Sequence, residues 1–398
     1  MSLYFLTFLL LAAGTLLTWF CPRYERQAYW ACWGVMTACL CFRFGQGTDY
    51  VTYHAIYETI PAVIDLSKGY ICGFYPEIGW RLISALFKTA HAPFWVFAAA
   101  LGLAEMLLIH RFLSKLVPAK TAGLFLLYPM LYLTYMVSGL RQGLAVCVFL
   151  GVAVPFYVEK RWVRYVLCVL IAASFHQAGY TWLVLLPVCY FPMKLMTAFI
   201  GLAAAGGLIV RINAVRWFFM NHFPSYHLWE LLFEGKVSYF ALAERVVSAL
   251  VLYLLYLWYR KENGEVPEKT ELLFKAYLCG VCFYLLLGGS SYYASRFCAI
   301  FKVLEGAVLL LLLQKERWVP RTAAVFFFGL TCLMGYKNLD AMIQESFCYD
   351  GAVVKVWNFP YVSVFNQERI QDYFSYEKRL GELYEDNIGD QQLWMLEE

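Results

Sequence analysis

The chain has 398 residues, of which 62% are hydrophobic and only 15% charged, with a net charge of +4. A water-soluble domain carries about 25% charged residues, and one aqueous core could not hide this much apolar sequence. The composition therefore excludes a soluble enzyme and points to lipid as the solvent.

A bilayer-crossing helix needs about 20 apolar residues, with shorter ones accepted inside a bundle. On that measure about a dozen spans are expected, at 3–20, 28–42, 93–110, 121–137, 141–157, 163–175, 178–191, 195–210, 239–259, 272–288, 297–313 and 322–336. The chain reads as an all-α polytopic membrane protein. The run Leu3 to Phe20 has no basic segment before it and no cleavage signature after it, so it reads as a span rather than a signal peptide. The two short runs flanking His176 are expected to be broken or tilted. Long loops remain at 43–92 and 211–238, the first containing an amphipathic stretch, Ile78 to Phe87, that is too short to cross.

Lys and Arg accumulate on the cytoplasmic side of a membrane protein. One set of alternate loops is short and basic: Arg23 and Arg26; Arg111, Lys115 and Lys120; Lys160, Arg161 and Arg164; Lys194; Arg260, Lys261 and Lys269; Lys315, Arg317 and Arg321. Assigning that set to the cytoplasm places the loops 43–92 and 211–238, and the tail 337–398, outside. That tail holds 5 basic and 12 acidic residues and is expected to be mobile after residue 376. The 13 cysteines mostly lie within apolar runs, where Cys behaves as a small hydrophobe. Cys279 and Cys282 form a lone CxxC inside a span, so no metal site is expected.

The unusual polar residues fall at the outer end of this topology. They are Arg43 with Asp49, Tyr50 and Tyr53; Glu77; Arg141 and Gln142 at the start of the fifth span; His176; and Tyr292, Tyr293 and Arg296 opening the eleventh. A cation at membrane depth costs several kcal/mol, on the order of 3, unless it is paired, hydrated or snorkelling. A single arginine at a helix end commonly snorkels. Arg141 and Arg296 instead share one side, at helix N-termini where the dipole already favours anions. Together with Arg43 they would suit a diphosphate. Glu105, Glu244, Arg245, Lys302 and Glu305 read as structural pairing between helices, with Lys302 and Glu305 spaced to meet on one face.

Six segments, in order, resemble the EpsG-like proteins, the Wzy-type polymerases of bacterial exopolysaccharides. They are Phe42-Arg43-Phe-Gly-Gln-Gly47-Thr-Asp49-Tyr50-Val-Thr-Tyr53, Pro76-Glu77-Ile-Gly79-Trp80, Ser138-Gly139-Leu-Arg141-Gln142-Gly-Leu-Ala145, Ala172-Ala-Ser174-Phe175-His176-Gln177, Ala294-Ser-Arg296-Phe297 and Pro360-Tyr361-Val-Ser363-Val-Phe365. The chain departs from the pattern after His176, which continues Gln-Ala-Gly-Tyr, and in its acidic extension after residue 376. The resemblance implies a GT-C-like bundle in the bacterial cytoplasmic membrane with an outward-facing active site. It implies a glycosyltransferase that joins oligosaccharide repeat units carried on undecaprenyl diphosphate, in exopolysaccharide or capsule synthesis. Both donor and acceptor are then lipid-linked, and flippase and chain-length-regulator proteins are the expected partners; neither nucleic acid nor a cofactor is.

Such a transfer needs charge stabilisation on the leaving diphosphate and a base for the incoming hydroxyl. Arg43, Arg141 and Arg296 are candidates for the first without a metal, since no DxD-type pair stands in an outer loop. Asp49, then His176, then Glu77 are candidates for the base. Tyr50, Tyr53, Gln142, Tyr292 and Tyr293 are placed to contact sugars. A transporter or flippase of lipid-linked oligosaccharides is the main rival, but it predicts charges along a central path and internal repeats, whereas these gather at one side. An acyltransferase would want its His facing the cytoplasm. A synthase using nucleotide sugars would need a sizeable cytoplasmic domain.

Overall fold

The structure, a computed structural model, describes residues 2–62, 77–222, 238–288, 290–313, 317–346, 354–372 and 375–397. Pro76, Lys315 and parts of both long loops lie outside the described residues, as does the side chain of Tyr292. The protein is an all-α polytopic membrane protein. Among the described residues the only strand-like pairing is one isolated antiparallel bridge between Arg43 and Ser363.

The helices follow the apolar runs. They are α1 (Leu3–Phe20), α2 (Glu25–Cys41), α3 (Tyr50–Thr59), α4 (Ile78–Thr89), α5 (Phe94–Leu116), α6 (Lys120–Ser138), α7 (Leu140–Val158), α8 (Trp162–Ala173), α9 (Met193–Ile209), α10 (Asn213–His222), α11 (Tyr239–Asn263), α12 (Glu268–Leu286), α13 (Ser291–Lys302), α14 (Glu305–Leu312), α15 (Trp318–Ser346) and α16 (Tyr376–Glu397). Six of them, α1, α5, α6, α7, α11 and α15, are long and apolar enough to cross a membrane, and α8 and α9 are shorter apolar helices. Local chemistry sets their ends. Ser2 and Ser238 accept backbone N–H groups at the starts of α1 and α11. Gly264, at φ +79°, stops α11, with Arg260 and Lys261 in its last turn where the dipole favours cations.

Three spans are irregular, and of these only the run after His176 is expected from sequence to be broken. From Tyr128 to Ser138, α6 widens into a π-helix that has Pro129 in its first turn, where the missing N–H disrupts the α-helical ladder. The run 178–191 is not one helix: Gln177–Val184 is a 3-10 helix, followed by a single turn, Leu185–Val188. The span at 297–313 is broken between α13 and α14 at Val303 and Leu304.

The chain divides into two compact units. The first comprises Met1–Pro155, Arg164–Gly179 and Leu330–Glu398; the second comprises Phe156–Val163 and Tyr180–Gly329. In the first unit, small residues let helices approach closely. A Cβ on Gly102 of α5 would lie 2.9 Å from Leu40 of α2, and one on Gly151 of α7 would lie 2.6 Å from the Leu108 carbonyl of α5. Tyr128 donates to the Tyr4 carbonyl at 2.7 Å and Tyr132 to the Met36 carbonyl at 2.8 Å, tying α6 to α1 and α2. Both oxygens of Glu105 are buried with no hydrogen-bond partner among the described residues, so the pairing expected for it is not formed.

In the second unit the other intramembrane charges do pair. Lys302 bonds Glu244 and lies 3.3 Å from Glu305, which also accepts from Tyr277 at 2.9 Å. Arg245 reaches the adjacent Glu244 at 3.5 Å, although neighbouring positions on a helix ordinarily point to different partners, and it donates to Ser295 at 3.4 Å. Lys302 ends α13 and Glu305 opens α14, so the break is flanked by the charges each helix dipole favours.

Candidate active site

Residues 42–49 form a loop that depends on two glycines. Gly45 and Gly47 have φ of +66° and +117°, a region that glycine enters at little cost and residues with a Cβ rarely adopt. A Cβ on Gly47 would lie 2.3 Å from the Val137 carbonyl at the end of α6, and one on Gly45 would lie 1.8 Å from Ile370 Cδ1. Gln46 is fully buried, accepting from the Tyr4 hydroxyl at 3.1 Å and donating to the Pro360 carbonyl at 2.6 Å.

Arg43 is 2% exposed. Its guanidinium donates to the carbonyls of Leu40, Met136 and Val137 at 2.5, 3.1 and 3.3 Å. Those oxygens belong to the last turns of α2 and α6, which have no intrahelical donors left. Arg43 therefore caps two helices in this structure, and its buried Nε has no hydrogen-bond partner among the described residues. The sequence predicts a diphosphate ligand facing an outward cavity; the guanidinium is instead buried against helix-end carbonyls.

The loop delivers Asp49, which is exposed at the head of α3, and then Tyr50 and Tyr53, which are buried. Tyr50 has no exposed surface. Its ring packs against Phe94 at 5.1 Å and Phe44 at 6.2 Å, so it is a core residue and not the sugar platform expected of it. Tyr53 packs on Trp80 at 5.5 Å. Burial raises the Tyr53 hydroxyl, the Arg141 guanidinium draws it back down, and the Asp49 carboxylate adds to the rise. These three side chains thus share one electrostatic neighbourhood.

Arg141, in the first turn of α7, lies 2.6 Å from Glu77 at the head of α4, with the two side chains 14% and 6% exposed. The other Glu77 oxygen accepts the Gln177 N–H at 3.4 Å. The α4 backbone is pinned to the same turn: Gly79 and Trp80 both donate to the Ser174 carbonyl, at 2.8 and 3.3 Å. A Cβ on Gly79 would lie 2.2 Å from the Ser174 hydroxyl, so glycine is required there. His176 in that turn accepts the Ala178 N–H on Nδ1 at 3.3 Å. The neutral ring then carries its proton on Nε2, which makes His176 a donor toward anything reaching that edge. Gln142 is buried and its Nε2 lacks a hydrogen-bond partner among the described residues.

The first unit therefore gathers Asp49, Tyr53, Glu77, Arg141 and the 174–177 turn from four segments far apart in sequence. Arg296 is exposed on α13 and Tyr293 half-buried, both in the second unit. Sequence reasoning missed Ser174 and the Gln177 N–H as the groups that dock α4, because they act through the backbone; the glycine of Pro-Glu-Ile-Gly-Trp was the available signal.

An all-α membrane bundle with polar residues collected around a helix-end ion pair defines a polytopic membrane protein. The chain belongs to the EpsG family, whose model matches residues 29–349. Membership points to a polymerase role connected with exopolysaccharide. No curated protein and no solved structure matches the chain.

Proposed function

We propose that the protein is a glycosyltransferase that polymerises undecaprenyl-diphosphate-linked oligosaccharide repeat units at the outer face of the bacterial cytoplasmic membrane. The observation that carries this reading is the Glu77–Arg141 pair at 2.6 Å, assembled with Asp49, Tyr53 and the His176 turn. Arg141 is the cation on the departing diphosphate, held in place by Glu77. That pairing makes Glu77 a positioning group rather than the base. Asp49 is exposed and takes the proton of the acceptor hydroxyl as its oxygen bonds the anomeric carbon. The bond from that carbon to the lipid diphosphate breaks, and the diphosphate leaves with the electron pair. His176 donates from Nε2 to a substrate oxygen.

The reading is tested by giving purified protein a lipid-linked repeat unit with no nucleotide sugar. A product ladder supports it, and a transporter would yield none. Arg141→Ala should lower the rate by roughly a hundred- to a thousandfold, the usual effect of removing one charge-stabilising donor. Normal polymer length in that variant removes the assignment.

A further inference from the structure

The tail following the family-matched region is laid against the glycine loop of the candidate site. Phe44 N–H donates to the Val362 carbonyl and Val364 N–H to the Phe42 carbonyl, both at 2.9 Å, forming the bridge opposite Arg43. Pro360 accepts from Gln46 at 2.6 Å, and Tyr361 donates to the Cys39 carbonyl at 2.9 Å. Ile370 occupies the space beside Gly45 that any larger residue would need. Tyr376, buried at the start of α16, packs its ring on Phe44 at 5.2 Å. Its hydroxyl meets His54 Nδ1 at 2.7 Å. His54 in turn stacks on Phe94 at 4.8 Å, with the planes 10° apart.

The loop is thus held from two sides. Gly47 rests on the end of α6, while Gly45 and Phe44 rest on the tail. Phe44 also touches Tyr50, the residue next to Asp49, so displacement of the tail has a packed route to that carboxylate. Close-packed groups of this kind transmit strain to one another.

We infer that residues 357–372 together with Tyr376 act as a strap that sets the position of Asp49, with the Tyr376–His54 hydrogen bond as its latch. The positioning role rests on Asp49 belonging to the active site; the strap itself does not. The strap covers one face of the 42–54 segment with the protein's own chain, so substrate must approach Asp49 from the Tyr53 and Arg141 side.

The test is hydrogen exchange of residues 44–54 in the full chain in lipid nanodiscs, for the parent protein, Tyr376→Phe, Tyr376→Ala and Ile370→Ala. Glu385→Ala, exposed on α16, is the control expected to change nothing. Tyr376→Ala and Ile370→Ala should raise exchange of this segment by roughly tenfold or more, and Tyr376→Phe, which keeps the ring, by less. Polymerisation of the lipid-linked unit should then lose kcat by a similar factor with KM held within about twofold. Unchanged exchange in Tyr376→Ala overturns the strap. If that variant does not fold, unchanged exchange in Ile370→Ala and Tyr376→Phe overturns it equally. Faster exchange with parental kcat makes the tail a brace only and overturns the positioning claim. If the parent protein makes no polymer, the polymerase reading fails while exchange still decides the strap.

Discussion

Glu77 and Arg141 are 64 positions apart in the chain and 2.6 Å apart in space, and neither is positioned by its own helix alone. The Ser174 carbonyl and the Gln177 N–H fix the head of α4 and the Glu77 carboxylate at the 174–177 turn. Leaving one member of a buried pair without the other costs about 3–5 kcal/mol, and these side chains, still partly reached by solvent, belong at the lower end. Glu77→Gln and Arg141→Met should each destabilise the protein by about 3 kcal/mol, and the double variant by clearly less than the sum. A double-mutant cycle in chemical unfolding measures this, and strict additivity would mean that the two groups do not act on each other.

Glycine at 47 is required by geometry, whereas glycine at 34 is not. Alanine at 47 would combine a φ of +117° with a Cβ 2.3 Å from the Val137 carbonyl. Gly47→Ala should cost on the order of 2–4 kcal/mol, through strain and loss of the packed loop. At Gly34, inside α2, a Cβ meets nothing within 4 Å. Gly34→Ala should be neutral or stabilising by about 0.5–1 kcal/mol. Thermal denaturation in detergent compares the two directly, and equal shifts would refute the account of the loop.

Arg43 should behave as a structural residue. Hydrogen bonds to a charged donor are each worth about 1.5–3 kcal/mol, and Arg43→Ala also leaves the Met136 and Val137 carbonyls unsatisfied. The expected result is reduced folded protein in the membrane, with polymer loss in proportion to protein loss. Quantifying both in the same cells checks this. Full protein levels with polymer abolished would return Arg43 to the ligand role.

Acid should loosen the His54–Tyr376 latch. Burial holds the imidazole down to about 4, while Glu58 pulls it up and Lys88 pushes it further down. Its ordinary value is about 6.5. Above pH 6.5 the ring is neutral whether folded or released, so pH has no leverage there. Between 6.5 and 4 the released form takes up the proton first, and stability falls by up to about 1.4 kcal/mol per pH unit. Below 4 that loss levels off. Glu58, Lys88 and Tyr376 are the groups facing the ring. Melting temperatures of the parent and His54→Gln, followed from pH 7.5 to 4, should converge with acidification. Parallel curves would discard the latch as the titrating element.

Much of the fold was legible because lipid imposes a simple demand. Every spanning segment must be apolar and satisfy its own backbone, so the ends of α1, α9 and α11 can be read within a few residues from hydropathy alone. The break after His176 was legible as two runs too short to span, but two others were not. The widening of α6 after Pro129 and the interruption before Glu305 depend on what neighbouring helices supply to the backbone groups that a local irregularity releases.

The residue sequence alone determined that this chain lives in a membrane, that its unusual polar residues cluster in a few short motifs, and that those motifs belong to one family. It could not assign their roles, because arginines at three helix ends look alike in a string. Tertiary structure decided that Arg43 caps two helices, that Arg141 is held by Glu77, that Tyr50 is core, and that an acidic tail lies against the glycine loop. The physical reason is that a charged or hydroxyl side chain takes its role from the group within about 3 Å of it, and here those groups come from distant parts of the chain.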